Sequence, residues 1–433
     1  MKYDKALFQI LLVEPANALN CYPFSLTHHI SELRCGALRL LDKVKEIFPY
    51  ANCILWGNSD IIHPLIQNEK WDNTITSGVP TLLLDATVLL DVDLAVQFVT
   101  SINEDSEDLN ITFFDKDRQI IAVYNQEILL DEIVNLVNNK NHLLDYLTSS
   151  VSKHSEKRVT LQDVAQIHYI WETLDHQQIQ IEKDSKLMLN IYPIDHFGDK
   201  YKKIHLIHSE KIKVATDVNI GEGVVLDATN GTILIDNAAT IMHNAVIMGP
   251  CYIGKGTTIK IGAKIYGCCS FGDYCKIGGE VEHSTFHNYS NKQHDGFIGN
   301  SYIGEWVNLG AGTSNSDLKN NYGCITMELP HRKVITDKQF IGTMIGDHTK
   351  TAINTAFTTG SVIGVSAMLA TNNFIPKSVE SFTWHTSNKI QPYKLEKALE
   401  TAAMMMKRRG KEMSNAEIHR LKFAYDKRKS KKS

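Results

Sequence analysis

Apolar residues recur at every sixth position through one stretch of this chain, between residues 235 and 277. These positions hold Ile235, Ile241, Ile247, Ile253, Ile259, Ile265, Phe271 and Ile277. A helix has a period of about 3.6 residues and an alternating strand a period of about two, so neither gives this spacing. A short strand followed by a turn gives it, and three such units close one triangular coil of about eighteen residues. The spacing therefore predicts a parallel β-helix of hexapeptide repeats, whose coils bury their apolar corners against one another.

The period extends in both directions from this stretch, with a three-residue slip between Leu226 and Ile235 and a two-residue shift of phase before Phe297. The further positions are Val214, Ile220, Leu226, Phe297, Ile303, Leu309, Ile345, Thr351, Phe357, Ile363, Leu369 and Ile375. Because Leu309 and Ile345 lie thirty-six residues apart, we expect two whole coils between them. Glycine follows the apolar residue at Gly254, Gly272 and Gly278, which predicts corners with a positive φ or a close backbone approach.

Glycine is distributed unevenly along the chain. Only four of the 26 glycines precede residue 200, and the β-helix pattern begins soon after that point. We therefore place the main boundary near residues 195–213. The expected organisation is an α/β domain over 1–200, the β-helix domain over 201–388 and a helical tail over 389–433.

In the first part of the chain, segments typical of strands alternate with segments whose apolar residues share one helical face. Predicted strands cover 6–14, 53–56, 81–84, 111–115 and 119–124. Predicted helices cover 30–48, 60–69, 93–102 and 127–139, and residues 142–190 are expected to be mostly helical. The alternation with short connections predicts a three-layer α/β domain. The tail is predicted to form two helices, 393–409 and 415–428, with Ser414 and Glu417 as a capping box.

Composition and charge exclude several classes of function. A formal net charge of −4 argues against a general nucleic-acid binder. No stretch is long and apolar enough to span a bilayer, and the apolar run that ends at Glu14 indicates a first strand rather than a signal peptide. The eight cysteines include no CxxC pair. We therefore expect a reducing, cytoplasmic compartment, with neither nucleic acid nor membrane as a partner.

The hexapeptide period pauses over a polar segment that spans Gly279–Gly299. It contains the three histidines His283, His287 and His294, and Lys292 lies among them. A coil that is interrupted by polar side chains is where we expect a functional site. One interpretation is a metal site, in which the three histidines provide ligands at a seam between subunits.

A second motif continues this segment and resembles a known family. His294 is followed by the short strand Phe297–Gly299 and then by Asn308–Thr313, which reads Asn-Leu-Gly-Ala-Gly-Thr. At matching spacing, this pattern resembles the bifunctional N-acetylglucosamine-1-phosphate uridylyltransferase/glucosamine-1-phosphate acetyltransferases, the GlmU-like enzymes. The resemblance covers the C-terminal half well. The resemblance extends to most of the chain because the domain order is also the same. A nucleotidyltransferase-like (Rossmann-like) α/β domain precedes a left-handed β-helix.

The resemblance implies roles for several residues in the β-helix. His294 would be the general base for the sugar amine that attacks a thioester, because imidazole titrates near neutral pH. Asn308 would hold the sugar, and the turn of Ala311, Gly312 and Thr313 would line the acetyl-CoA groove. Further substrate contacts are expected from Lys292, His283, Asn315 and Lys319. The family also implies a homotrimer with sites between subunits.

Two departures from the family pattern concern the acceptor. The family's pair of lysines that holds the sugar phosphate falls at Glu282 and His283 in this chain. An aromatic hydroxyl after the histidine is replaced by Phe297. Lys292 and Lys319 are then the nearby basic groups for a phosphate. The expected acceptor is an amino-sugar phosphate, which need not be glucosamine 1-phosphate.

The N-terminal domain departs further from the family. Its members carry a glycine-rich loop directly after the first strand, and the N–H groups of that loop bind the nucleotide phosphates. Residues 13–35 of this chain contain no glycine. The resemblance leaves Arg34 and Lys43 as basic groups for a nucleotide, and Asp85 as a ligand for Mg²⁺. Two alternatives stay open: a diverged nucleotidyltransferase that uses these residues, or a domain that binds a sugar nucleotide or only packs.

Two hypotheses about function follow from these observations. In the first, the β-helix transfers an acetyl group from acetyl-CoA to an amino-sugar phosphate, and the N-terminal domain makes or binds a nucleotide sugar. In the second, the protein is a non-catalytic assembly subunit with degenerate domains, as in the subunits of translation-initiation exchange factors. Binding of CoA separates the two, because an acetyltransferase should bind it and an assembly subunit should not.

Overall fold

The computed structural model describes residues 8–69, 73–104, 110–125, 156–188, 203–371 and 373–429. The predicted helix 127–139 lies outside these residues. Contacts divide the chain into two compact units. The first unit comprises Met1–Leu19, His28–Leu33 and Leu38–His168. The second unit comprises Asn20–Thr27, Arg34–Ala37 and Tyr169–Ser433.

The first unit contains a six-stranded sheet with helices, which confirms the predicted Rossmann-like α/β class. Its strands are β1 (Gln9–Val13), β2 (Cys53–Trp56), β3 (Thr81–Asp85), β4 (Asn110–Phe114), β5 (Ile120–Asn125) and β6 (Glu156–Thr160). Its described helices are α1 (Leu40–Ile47), α2 (Ser59–Glu69) and α3 (Val92–Asn103). The strand order is β2-β1-β3-β5-β4-β6, and β1 pairs in parallel with both β2 and β3. Leu11, Val13, Ile54, Leu83 and Val123 form a buried cluster within this unit.

Two predictions for the first two hundred residues were wrong. The predicted helix 30–48 consists of a 3-10 turn over Ile30–Glu32 and the shorter α1. The chain leaves helical geometry between them because Gly36 has a φ of +89°, and the Gly36 N–H donates to Gln177 at 2.8 Å instead of to its own turn. The region 142–190 is not mostly helical where it is described. It contains β6, and the helix α4 spans Glu172–Leu187.

The second unit is a parallel solenoid with three faces, as the hexapeptide period predicts. The first face contains β7 (His205–Ile207), β10 (Val225–Asp227), β13 (Val246–Met248), β16 (Lys264–Ile265), β19 (Glu280–Glu282) and β22 (Phe297–Gly299). The second contains β8 (Ile212–Val214), β11 (Ile233–Ile235), β14 (Cys251–Ile253), β17 (Cys269–Phe271), β20 (Thr285–Phe286), β23 (Tyr302–Ile303), β27 (Thr343–Ile345), β30 (Ser361–Ile363) and β32 (Ser378–Val379). The third contains β9 (Asn219–Ile220), β12 (Thr240–Ile241), β15 (Thr258–Ile259), β18 (Lys276–Ile277), β21 (Asn291–Lys292), β28 (Lys350–Thr351), β31 (Met368–Ala370), β33 (Thr383–Thr386) and β34 (Lys389–Pro392).

The apolar residues of the period stack on one another inside this solenoid. On the second face Ile235 pairs with Ile253, and Ile253 pairs with Phe271. Phe271 continues the column to Phe286, with the two ring centroids 5.7 Å apart. All four side chains are completely buried. The stacking confirms that the hexapeptide pattern marks the inner positions of successive coils.

Two whole coils were expected between Leu309 and Ile345, and the structure shows that this prediction was wrong. Ile303 pairs directly with Ile345 on the second face. Within this interval the chain forms the short strand β24 (Ser314–Asn315), which pairs with β29 (Ala356–Phe357). It also forms an antiparallel hairpin of β25 (Thr326–Leu329) and β26 (Arg332–Ile335). The segment lacks the apolar spacing of a coil, and the hairpin satisfies its backbone groups instead.

The glycines at the predicted corners serve close packing and not a positive φ. A Cβ atom on Gly254 would lie 2.7 Å from the backbone of Gly272 in the next coil. Other residue types adopt the left-handed corner conformation, including Tyr274, Tyr289 and Trp306 with φ between 55° and 61°. These three aromatic rings stack, with centroids 5.2 Å and 4.2 Å apart.

We expect Gly254→Ala to lower the free energy of unfolding by ~1–3 kcal/mol, because the new methyl group overlaps backbone atoms of the next coil. Gly323→Ala is the matched control, since the nearest atom to its Cβ would be a side-chain oxygen of Asn321 at 3.3 Å. That control should change stability by less than ~0.5 kcal/mol. Chemical denaturation of both variants measures the difference, and equal effects would contradict the packing argument.

The tail forms the two predicted helices, α5 (Leu395–Lys407) and α6 (Asn415–Lys429). They pack on the solenoid through a buried cluster that includes Val365, Phe382, Ala402 and Leu421. The Glu417 N–H donates to the Ser414 side chain at 3.1 Å, which is one of the two hydrogen bonds of the predicted capping box. No helix within the described residues is long and apolar enough to cross a membrane.

Candidate functional site

The polar pause in the period forms a bend between the third and first faces of the solenoid. It follows β21 and precedes β22, and His294 lies within it. The side chain of His294 is exposed, and within the described residues its imidazole makes no hydrogen bond. The ring is therefore available to a ligand from outside the chain.

The turn predicted to line a CoA groove lies directly against this bend in the neighbouring coil. The Gly312 N–H donates to the Asp295 carbonyl oxygen at 2.9 Å. A Cβ atom on Gly296 would lie 2.2 Å from the Thr313 carbonyl oxygen, so the two backbones touch. Ala311 and Gly312 are half-buried, whereas Thr313 is buried and bonds the Thr351 hydroxyl at 2.8 Å. The structure thus brings the His294 bend together with the Ala311–Thr313 turn.

Asn308 belongs to a row of polar residues on the third face. Lys276 pairs with Asn291, Asn291 bridges to Asn308, and Asn308 bridges to Lys350. The Asn291 amide donates to the Asn308 side-chain oxygen at 3.3 Å. We call Lys276, Asn291, Asn308 and Lys350 the polar row. Its member Asn291 lies three residues before His294 in the chain, so the row provides amide and ammonium groups next to the bend.

Lys292 occupies an inner position of the solenoid, where its register partner is Ile277. Its side chain is only 2% exposed. The ammonium group donates to the carbonyl oxygens of Gly278 at 3.1 Å and His294 at 2.8 Å. Burial lowers its pKa to about 8. Because the group points into the coil, we do not retain Lys292 as a phosphate ligand.

Two further substrate candidates make contacts within the chain. Asn315 is 5% exposed, and its amide bonds both the N–H and the carbonyl oxygen of Gly299, at 2.9 Å and 3.0 Å. It thereby replaces a strand pairing that the first face lacks at this coil. The ammonium group of Lys319 donates to the Cys324 carbonyl oxygen. Neither geometry favours direct binding of a substrate.

The three histidines of the polar segment do not converge. His283 bonds the Leu174 carbonyl oxygen at 2.8 Å and borders a cavity of about 650 Å³. His287 is 1% exposed and bonds the Tyr302 hydroxyl at 2.6 Å inside the solenoid. Among the described residues, no group of three or more histidine, cysteine, aspartate or glutamate side chains could hold a metal ion. The geometry therefore does not favour the metal interpretation.

The residues suggested for the nucleotide are buried. Arg34 belongs to the second unit, where its side chain is covered by the solenoid and 6% exposed. Its guanidinium donates to the Ala37 carbonyl oxygen and lies 5.5 Å from the centre of the Tyr252 ring. Lys43 belongs to the first unit and is fully buried in α1. Neither side chain is presented to a nucleotide in this structure.

The suggested magnesium ligand caps a turn. Asp85 follows β3 and is 8% exposed. Its Oδ1 atom accepts from the N–H and the hydroxyl of Thr87, at 2.8 Å and 2.6 Å. Burial raises the pKa of Asp85, which disfavours the charged form that Mg²⁺ requires. The residues present therefore do not fit a magnesium site of the expected kind.

The chain's own side chains fill the end of β1, where a phosphate-binding loop was missing from the sequence. Glu14 accepts from the Ile30 N–H at 3.2 Å. His29 is fully buried, and its ring bonds the Ser31 hydroxyl at 2.7 Å. Glu32 accepts from the His29 N–H at 2.9 Å. The N–H groups of His29 and Ile30 therefore already donate to carboxylates of this segment and are not presented to phosphates.

Comparison with known proteins identifies the relatives of this chain. Residues 10–190 match the family described as sugar nucleotidyl transferase. The bifunctional protein GlmU of Synechococcus elongatus is 27% identical over 197 residues, which cover 41% of this chain and 40% of that protein. The chain is a diverged relative of the GlmU-like proteins. The GlmU of Acaryochloris marina is 22% identical over 230 residues, or 48% of this chain and 47% of that protein.

The chain thus spans less than half of the length of these GlmU relatives. A solved structure of a UDP-N-acetylglucosamine acyltransferase aligns with 44% of this chain and 69% of its own, at 16% identity and a TM-score of 0.22.

The basic residues of the polar row were not among the site residues predicted from the sequence. Lys276 and Lys350 each precede an inner position, Ile277 and Thr351, just as Asn308 precedes Leu309. Aligning the hexapeptides would therefore have placed these lysines in the same row. Arg409 also joins the row, since its guanidinium donates to Asn291 at 2.9 Å. Its approach depends on how the tail packs, for which the sequence carries no local signal.

Proposed function

We propose that the solenoid transfers an acetyl group from acetyl-CoA to the amino group of an amino-sugar phosphate. The observation that carries this proposal is the exposed His294 bend, packed on the Ala311–Thr313 turn. In the reaction, the amine nitrogen attacks the thioester carbonyl carbon, the carbon–sulfur bond breaks, and CoA leaves as its thiol. His294 accepts the proton that the attacking amine loses and returns it to the departing sulfur, which gives the thiol.

The neighbouring groups support this assignment through their chemistry. The amide of Asn308 can bond sugar hydroxyl groups, because it offers both a donor and an acceptor. The turn at Ala311 and Gly312 carries little side chain, so a pantetheine arm can approach its backbone closely. We propose that the active form is a homotrimer in the cytoplasm, with the bend of one subunit facing the next.

We infer that the first unit does not transfer nucleotides in the manner of its relatives. The fully buried Lys43 and the turn-capping Asp85, which both belong to this unit, support the inference. The unit would instead bind a sugar nucleotide or provide a packing surface. The same observations favour a second candidate function for the whole protein, a non-catalytic assembly subunit.

The experiment that separates the two candidates measures thiol release from acetyl-CoA. The full chain is incubated with amino-sugar phosphates and with nucleotide-linked amino sugars, and CoA binding is titrated in parallel. Release that depends on one acceptor would establish the transferase and name its substrate. The absence of both thiol release and CoA binding would overturn the proposal and favour the assembly subunit.

A further inference from the structure

The C-terminal segment covers one end of the polar row with positive charge. Arg409 is half-buried, and its guanidinium donates to Asn291 and to the Tyr274 carbonyl oxygen, both at 2.9 Å. Lys276 is the register partner of Asn291 in the preceding coil. Two cationic side chains therefore flank one amide on the third face.

More positive charge lies around this point. Lys260 precedes the corner of the same face, and a Cβ atom on Gly278 would lie 3.1 Å from the Lys260 Cβ. Arg408 is exposed at the end of α5, beside Arg409. Lys411 follows in the chain, with its ammonium group 6.0 Å from the centre of the Tyr289 ring. We call Lys260, Lys276, Arg408 and Arg409 the cationic cluster.

Within the described residues, no carboxylate forms an ion pair with any member of the cationic cluster. The nearby acids have other partners. Asp273 accepts from the Lys255 N–H at 3.1 Å, and Glu305 accepts from the Asn288 amide at 2.9 Å. Burial lowers the pKa of Lys276, and the other three cations lower it further. Partly buried charges of one sign that lack a counter-charge are unfavourable, and an anion would relieve that cost.

We propose that Lys276, Asn291 and Arg409 bind the phosphate group of a small phosphorylated ligand, with Lys260 and Arg408 adding charge at the rim. A guanidinium fork, an ammonium group and an amide are the donors that phosphate recognition uses. The protein's net charge of −4 and the partial burial of the cluster favour a small ligand over a nucleic acid.

In the GlmU-like family a pair of lysines is expected to hold the sugar phosphate, and Glu282 and His283 occupy those positions in this chain. The cationic cluster would take over that role. Asn308 adjoins Asn291, so a sugar phosphate held at the cluster would place its ring along the polar row towards the His294 bend. That extension, in which the ligand is the acceptor, rests on the proposed function. Phosphate binding at the cluster does not rest on it.

The test is isothermal titration of the full chain with inorganic phosphate and with glucosamine 1-phosphate. Lys276→Gln should weaken binding at least tenfold, because it removes a charge-assisted contact, and Lys276→Gln with Arg409→Gln should abolish it. Lys264→Gln is the matched control, since it removes the same charge from the first face, where Lys264 lies 3.8 Å from Glu280. It should bind as the wild type does.

Two further arms identify the source of the phosphate and separate this proposal from the proposed function. In the first arm, the affinities of wild type and Lys276→Gln are measured for CoA and for dephospho-CoA. If the substitution weakens binding of CoA but not of dephospho-CoA, the phosphate bound at the cluster is that of CoA. His294→Ala should bind inorganic phosphate normally even if thiol release is never observed. Thermal melting confirms folding, and Lys276→Gln remains informative if the double variant unfolds. The proposal would be overturned if the wild type showed no saturable phosphate binding. It would also be overturned if Lys276→Gln and the double variant bound phosphate as tightly as the wild type does.

Discussion

Replacement of His294 by alanine is expected to lower the turnover of thiol release from acetyl-CoA by ~10²–10⁴-fold, the loss typical of a general base. The fold should not suffer, because the His294 side chain is exposed and, within the described residues, makes no hydrogen bond. The measurement is the steady-state rate at saturating acetyl-CoA and acceptor. The Michaelis constants should change little, since the imidazole acts on a proton and not on binding.

The solenoid offers a matched control for this variant. His243 follows the inner residue Ile241 by two residues, just as His294 follows the inner residue Lys292. Ile241 and Lys292 belong to one column of inner residues, which runs through Ile259 and Ile277. Its side chain is also exposed. His243→Ala should retain wild-type turnover. Equal turnover of wild type and His294→Ala would remove the general base from the mechanism, whatever the acceptor is.

The hexapeptide period predicted the solenoid because each apolar residue has the same role in every coil, which is to pack against its counterparts in the neighbouring coils. Ile235, Ile253 and Phe271 meet at equal intervals in the structure, as their spacing required. The hairpin between Thr326 and Ile335 was missed because it departs from the period and packs through its own strand pairing. Periodicity identifies what repeats, and it cannot identify an excursion that returns to the same phase.

The bend and the turn of the candidate site could be predicted from their spacing. His294 and Ala311 stand at equivalent points of neighbouring coils, so their motif encodes the contact between Asp295 and Gly312 directly. Arg34 and Lys43 show the opposite case. Both lie in the predicted helix 30–48 as basic residues that were expected to be accessible to a nucleotide, whereas the structure buries both. Burial depends on long-range packing, which a local pattern does not report.

A lysine in the solenoid interior leads to the second large effect, on stability. The pKa of Lys292 is lowered to about 8 from 10.5 by burial, so the unfolded chain holds this proton more tightly than the folded chain. Between about pH 8 and pH 10.5 the unfolded state therefore carries the extra proton, and the free energy of unfolding rises with pH. From the difference in pKa, this rise is about 3 kcal/mol.

Lys292→Met should remove this rise, because methionine is apolar, of similar length and carries no proton. The free energy of unfolding of the wild type, minus that of the variant, should then increase by about 3 kcal/mol from pH 7.5 to pH 10.5. Lys350, whose pKa burial lowers to about 7, titrates in both proteins, so its contribution cancels in the difference. Urea denaturation across this pH range provides the measurement.

Ile277→Met controls for packing, because it places methionine at the adjacent inner position of the same column without removing a titratable group. Its effect on the free energy of unfolding should be the same at every pH. A difference between wild type and Lys292→Met that also stays constant with pH would mean that Lys292 remains solvated in the folded protein. The ammonium group would then lie outside the coil, and Lys292 would return as a candidate ligand for the phosphate of the acceptor.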